Sequence, residues 1–156
     1  MGGTAIPVVY IAYDGGIVTN TTICADMVPA VIGADVDTIK KISHPLQSQG
    51  IAVLALNDVS VCTEHKLDGI YFTEISVKDF ISVRKQYPNI QMGVFCGNSR
   101  HDAMVMGENG ADFVVFDDVD CVHWWASMME VAVVQDMCTE NAQVTEHTDF
   151  VLKKYI

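Results

Sequence analysis

Positive charge is scarce in this chain: nine Lys and Arg stand against twenty Asp and Glu, leaving a net charge of −11. Such a balance repels nucleic-acid phosphates and anionic membranes at long range. No basic cluster exceeds Lys40-Lys41 and Lys153-Lys154, so neither nucleic acid nor a membrane is expected as a partner. No apolar run approaches the ~18 residues that suggest a membrane span. The opening Met1-Gly2-Gly3-Thr4-Ala5-Ile6-Pro7 lacks the basic and apolar regions of a secretory signal. It also lacks the Ser or Thr of a myristoylation signal. These absences predict a cytoplasmic protein. The five cysteines, Cys24, Cys62, Cys96, Cys121 and Cys138, are odd in number and show no C-x-x-C spacing. That argues against a disulfide framework and a structural zinc site, and predicts buried reduced thiols. There is no G-x-x-x-x-G-K-[ST], no G-x-G-x-x-G after a strand and no G-x-S-x-G.

What the chain has is hydrophobicity, at 50% of its 156 residues. That is enough for one domain with a substantial core. Short runs rich in Val, Ile and Phe predict strands near Val8–Tyr13, Ala30–Ala34, Ile51–Leu56, Gly69–Thr73, Gln91–Cys96, Phe113–Phe116, Ala132–Gln135 and Phe150–Lys153. Most are continuously apolar, as strands covered on both faces are. Helix-compatible segments alternate with them: Asp37–Gln49, Ser60–Lys66, Val77–Tyr87, Ser99–Asn109, Val122–Glu130 and Thr139–His147. Asp37 and Asp58 are expected as helix N-caps, and Ser99 with Asp102 resembles a capping box.

A longer repeat decides the architecture. An Asp precedes an apolar strand at Asp26, Asp68, Asp112 and Asp149, spaced by roughly 40 residues, and the intervening strands keep that period. Four double βα units predict a compact (β/α)8 barrel of the TIM type spanning residues 1–156. Its first crossover, Asp14–Met27, is short, and no final helix follows the last strand. A five-stranded doubly wound sheet suits the length better but leaves three strand-like runs unused. The expected missing helix would expose apolar surface and predicts a homo-oligomer.

The run Gly50-Ile51-Ala52-Val53-Leu54-Ala55-Leu56-Asn57-Asp58, followed by Lys66-Leu67-Asp68-Gly69-Ile70-Tyr71, resembles the third and fourth units of thiamine phosphate synthases. Met92-Gly93-Val94 and Asn109-Gly110-Ala111-Asp112-Phe113-Val114 are similar to strands five and six of that family. Asn98–Glu108 and Trp124-Trp125 look like a divergent, shortened bacterial branch, and Thr148-Asp149-Phe150-Val151 resembles that family's end. The resemblance covers most of the chain from Ile51 onward and lies in the ordered set of short motifs. It implies a transferase of thiamine biosynthesis that joins hydroxymethylpyrimidine diphosphate to thiazole phosphate and expels diphosphate with Mg²⁺. Asn57 and Asp58 match the family's diphosphate-binding Asn and metal-binding Asp. Glu74 stands near the second metal position, while Asn98, Ser99 and Arg100 are expected as anion donors beside a helix N-terminus. The family's basic cluster after strand two is replaced by Gly33-Ala34-Asp35-Val36-Asp37. The loop after strand six reads Asp117-Asp118-Val119-Asp120, and the phosphate turn after strand seven reads Gln135-Asp136-Met137.

A barrel places functional groups at the C-terminal strand ends. There the sequence puts Asp14, Asp35, Asp37, Asp58, Glu74, Asp117, Asp118, Asp120 and Asp136 against one nearby permanent cation, Arg100. Such a mouth repels a polyanion unless metal ions intervene. Three readings stand beside one another: solvated, helix-capping carboxylates; a divalent-cation or small-ligand module or assembly partner; and family catalysis on a phosphorylated pyrimidine or thiazole. A Cys96–His101 nucleophile pair is a weaker candidate.

Overall fold

Strands that carry Val, Ile, Ala and Phe on both faces need cover inside and out, and a barrel ringed by helices supplies it. The computed structural model describes residues 6–12, 28–138 and 148–155. In chain order these form β1 (Val8–Ala12), β2 (Ala30–Gly33), α1 (Val36–Ser48), β3 (Ala52–Leu56), α2 (Val59–Glu64), β4 (Gly69–Phe72) and α3 (Val77–Gln86). There follow β5 (Gln91–Gly97), α4 (Arg100–Glu108), β6 (Phe113–Phe116), α5 (Val119–Met128), β7 (Ala132–Asp136) and β8 (Phe150–Tyr155). Each strand pairs with the next, and β8 returns to β1 in parallel from Val8↔Val151 to Ala12↔Tyr155. The eight strands therefore close in sequence order. The expected barrel is the observed one, and the doubly wound sheet is set aside. The expected Asp14–Met27 crossover, Cys24, Asp26 and the Thr139–His147 helix lie outside the described residues. No helix among the described residues is long and apolar enough to cross a membrane.

Two apolar layers hold the barrel together. Ile11, Ile32, Leu54, Tyr71, Val115, Val134 and Leu152 line its interior. Between sheet and helices, Val31, Val53, Ile70, Met92, Val114 and Val133 meet Ile39, Ile42, Phe80, Met106 and Trp125. Alternate residues of each strand thus serve different cores, and both must be apolar. Trp125 adds a hydrogen bond from its indole Nε1–H to the Val131 carbonyl at 2.8 Å and an edge contact with Phe116.

Helix starts correct the expectation in two places. Asp35, not Asp37, caps α1: its carboxylate accepts from the Thr38 N–H at 2.8 Å. Asp35 has the extended backbone an N-cap requires, whereas Asp37 already lies in the first turn. Helix α5 begins at Val119, ahead of the expected Val122, because Asp118 caps it by accepting from the Asp120 N–H.

Of the repeated aspartates, Asp68, Asp112 and Asp149 sit at the opposite end, in the turns that lead into β4, β6 and β8. Asp68 donates its N–H to the Val53 carbonyl at 2.9 Å, and its carboxylate accepts from the Val53 N–H at 2.8 Å. Asp149 does the same with Val133, at 3.1 and 3.0 Å. At its described positions the period read from the sequence is therefore a strand-to-strand latch on the N-terminal face, where barrel residues stabilise rather than react.

Candidate functional site

The loops after the strands' C-terminal ends build the candidate site, beginning with Asn57 at the end of β3. Its φ of 59° is left-handed, a conformation that Asn adopts more readily than most residues. There its carboxamide staples β3 to β4: Oδ1 accepts from the Thr73 N–H at 2.9 Å and Nδ2 donates to Thr73 Oγ1 at 2.8 Å. Asp58 follows as the N-cap of α2. Its Oδ1 accepts from Ser60 Oγ at 2.8 Å and from the Val61 N–H at 3.1 Å. Those bonds, the Ser60 hydroxyl first, hold the carboxyl below its usual value. Both bonds fall on one oxygen, so Oδ2 lies outside the cap.

Glu74 is exposed in the turn after β4. It borders a hollow of about 270 Å³ that Phe95, Cys96 and Asp102 also line. After β5, Ser99 caps α4 by accepting from the Asp102 N–H at 3.1 Å, and the Asn98 carbonyl accepts from the Cys121 thiol at 3.5 Å. Arg100 places its guanidinium 4.9 Å from the centre of the Trp124 ring, a cation–π contact with α5. Asn57-Asp58 and Asn98-Ser99-Arg100 therefore follow β3 and β5, with β4 between them. Among the described residues, no group of three or more His, Cys, Asp or Glu stands close enough to hold a metal ion.

Tyr71, absent from the sequence-derived candidates, lies beneath this mouth. It points into the barrel at 2% exposure and stacks on Phe113 with ring centres 6.1 Å apart. Burial, then the charges of Asp136 and Asp117 and the neighbouring thiols Cys138 and Cys96, raise its phenol so that it stays protonated. Two carboxylates of the expected acidic rim thus act on the barrel's interior, while Asp35, Asp58 and Asp118 cap helices. The signal for Tyr71 was its odd-numbered place in β4, alternating with Ile70 and Phe72 in the outer core. Asp14 lies outside the described residues. Cys96 is buried and its thiol is pushed up to about 12, chiefly by desolvation, which opposes a nucleophilic role.

No family model matches the chain. Two curated proteins are similar to part of it. A thiamine-phosphate synthase of Rhodospirillum centenum is 42% identical over a stretch covering 28% of this chain and 28% of that protein. A thiamine-phosphate synthase of Erythrobacter litoralis is 24% identical over 67% of this chain and 58% of that protein. The chain thus spans less than two thirds of the length of either relative. Among solved structures, a U32 peptidase superposes with a TM-score of 0.72 at 11% identity, covering 100% of this chain and 95% of that one. A 2,3-dimethylmalate lyase of the PEP mutase/isocitrate lyase superfamily gives 0.59 at 8% identity, covering 95% and 75%. These structures share the barrel alone.

Proposed function

We propose that this chain is a thiamine phosphate synthase-like transferase, joining hydroxymethylpyrimidine diphosphate to thiazole phosphate at the C-terminal mouth of the barrel. The observation that carries the proposal is the Asn57-Asp58 pair at the end of β3, in a chain similar in sequence to two thiamine-phosphate synthases. The reaction builds negative charge on the departing diphosphate, so the site must meet that charge with donors and cations. Asn57 keeps one Nδ2–H beyond its bond to Thr73, on a backbone fixed by the β3–β4 staple, as a donor for that charge. Asn98, Ser99 and Arg100 at the start of α4 are the remaining anion donors.

The donors present suit a Mg²⁺ that arrives with its substrate, because such an ion takes one or two carboxylates and completes its shell with phosphate oxygens and water. Asp58 Oδ2 and Glu74 would supply the carboxylates, and the ion would neutralise the leaving diphosphate. Without it, Asp117 and Asp136 oppose a polyanion at the same opening.

A second reading, binding without turnover, is favoured by the placement of Arg100 on Trp124. Incubation with both precursors and Mg²⁺, followed by assay of thiamine phosphate, tests the proposal. Product is expected from the native chain and lost in Asp58→Asn, which keeps a capping side chain and removes the charge. Calorimetric heat with the diphosphate but no product would establish the second reading. Neither product nor heat would remove both.

A further inference from the structure

Barrels of this kind fill their interior with layers of bulky branched side chains, and among the described residues none fills the N-terminal half of this one. Ala30, Ala52 and Ala132 occupy the first positions of β2, β3 and β7. The result is a cavity of about 640 Å³ inside the strands. Leu54, Tyr71, Phe113 and Phe150 contribute to its walls, while its rim comes from the turns that enter the strands. It therefore opens at the end opposite Asn57 and Asp58.

The volume lies in the range of sites for drug-sized ligands. Water would find few partners among such walls, and an empty chamber forfeits the dispersion contacts of everything that lines it. The rim is also selective. Asp68 accepts from the Val53 N–H and from Gln47 Nε2, and Asp112 is paired with Arg84 at 2.9 Å. No cation pairs with Asp68 among the described residues, so their part of the entrance is net negative and disfavours an anion. Asn89 and Gln91 are exposed beside it, and their carboxamides make no hydrogen bond among the described residues.

We infer that the N-terminal half of the barrel is a binding chamber for an uncharged, largely apolar small molecule with a hydrogen-bonding group that meets the Asn89 and Gln91 carboxamides. The chamber does not rest on the transferase reading. It lies at the other end of the fold and would stand if that reading failed.

Titration of the full chain with N-phenyl-1-naphthylamine, a neutral dye that brightens in apolar surroundings, tests it. Saturable binding of one dye per chain is expected. In spectra of alanine-methyl-labelled protein, the Ala30, Ala52 and Ala132 signals should shift while those of Ala103 and Ala111 stay. Ala52→Leu and Ala132→Leu should each weaken binding by about tenfold without lowering the melting temperature, and anionic 1-anilinonaphthalene-8-sulfonate should bind at least about tenfold more weakly than the neutral dye. Unsaturable fluorescence overturns the inference, as do shifts confined to Ala103 and Ala111. Equal affinity for the anionic dye overturns the assignment of an uncharged ligand. Should a filled variant fail to fold, the methyl map of the native chain decides alone.

Discussion

Asp112 and Met92 hold each other by two hydrogen bonds. The Asp112 N–H donates to the Met92 carbonyl at 2.7 Å, and the Met92 N–H donates to Asp112 Oδ2 at 2.8 Å. Arg84 reaches the same carboxylate oxygen from α3 and also donates to the carbonyls of Gly110, Tyr87 and Ile90. A helix end, the turn before β6 and the start of β5 are thereby joined at one side chain, as Asp68 and Asp149 join their own strand pairs.

Asp112→Ala removes the acceptor for a strand N–H and is expected to cost about 1–3 kcal/mol. For a chain of this size that lowers the melting temperature by several degrees, at about 2–4 °C per kcal/mol. The ion pair with Arg84 is partly exposed and contributes little after solvent screening. The deficit, read by calorimetry, should therefore persist in high salt. A loss that disappears with salt would assign the effect to the ion pair.

Acid should unfold the protein partly through its helix caps. The folded-state value of Asp58 lies below its ordinary 3.8, owing first to the Ser60 hydroxyl and then to the Val61 N–H; that of Asp35 is also lowered, chiefly by Thr38. A depressed carboxyl contributes its stabilisation fully above the unfolded-state value and loses it as pH falls through the folded one. Urea midpoints measured below pH 3.8 should fall less steeply for Asp58→Ser, which caps without titrating. Identical acid slopes for variant and native chain would count against this origin.

Cys62 and Cys96 should resist alkylation in the native state. Burial, with Asp68 adding to it, pushes the Cys62 thiol up to about 11, and burial pushes Cys96 up to about 12. Both are inaccessible and almost wholly protonated at neutral pH. Peptide mapping after brief iodoacetamide treatment should find both unmodified, and fully modified once urea is present. Rapid native labelling of either would mean that its strand or helix opens easily.

Gly69→Ala should damage the barrel out of proportion to one methyl group. An added Cβ would lie 2.2 Å from the Gln91 carbonyl oxygen, backbone that is held because Gln91 N–H donates to the Asp68 carbonyl. Overpacking of this kind costs about 1–3 kcal/mol. A lowered urea midpoint with unchanged slope is the expected result, and native stability would show that β4 and β5 can part without penalty.

Particular residues show what was legible. The barrel was, because continuous apolarity at Val53-Leu54-Ala55 or Phe113-Val114-Val115-Phe116 reports cover on both faces, and because the aspartate period counts the units. The caps were legible in kind but shifted in place: Asp35 and Asp37 are equally good capping residues, and only the folded backbone, extended at Asp35 and helical at Asp37, chooses between them. The expected site residues were legible as strand-end positions, while their engagements were not. Nothing local tells that Asn57 grips Thr73, 16 residues away, or that Arg100 lies over Trp124.

The chain's order of residues, by itself, determined eight strands, their parallel succession and two apolar surfaces, since these follow from patterns only a few residues long. Tertiary closure decided the rest: that Asp68, Asp112 and Asp149 latch one end, that Asp117 and Asp136 act on Tyr71 near the other, and that three alanines leave a chamber between. The reason is geometric. Charge, hydrogen-bond partners and empty volume depend on distances across the barrel, and those exist only once β8 has met β1.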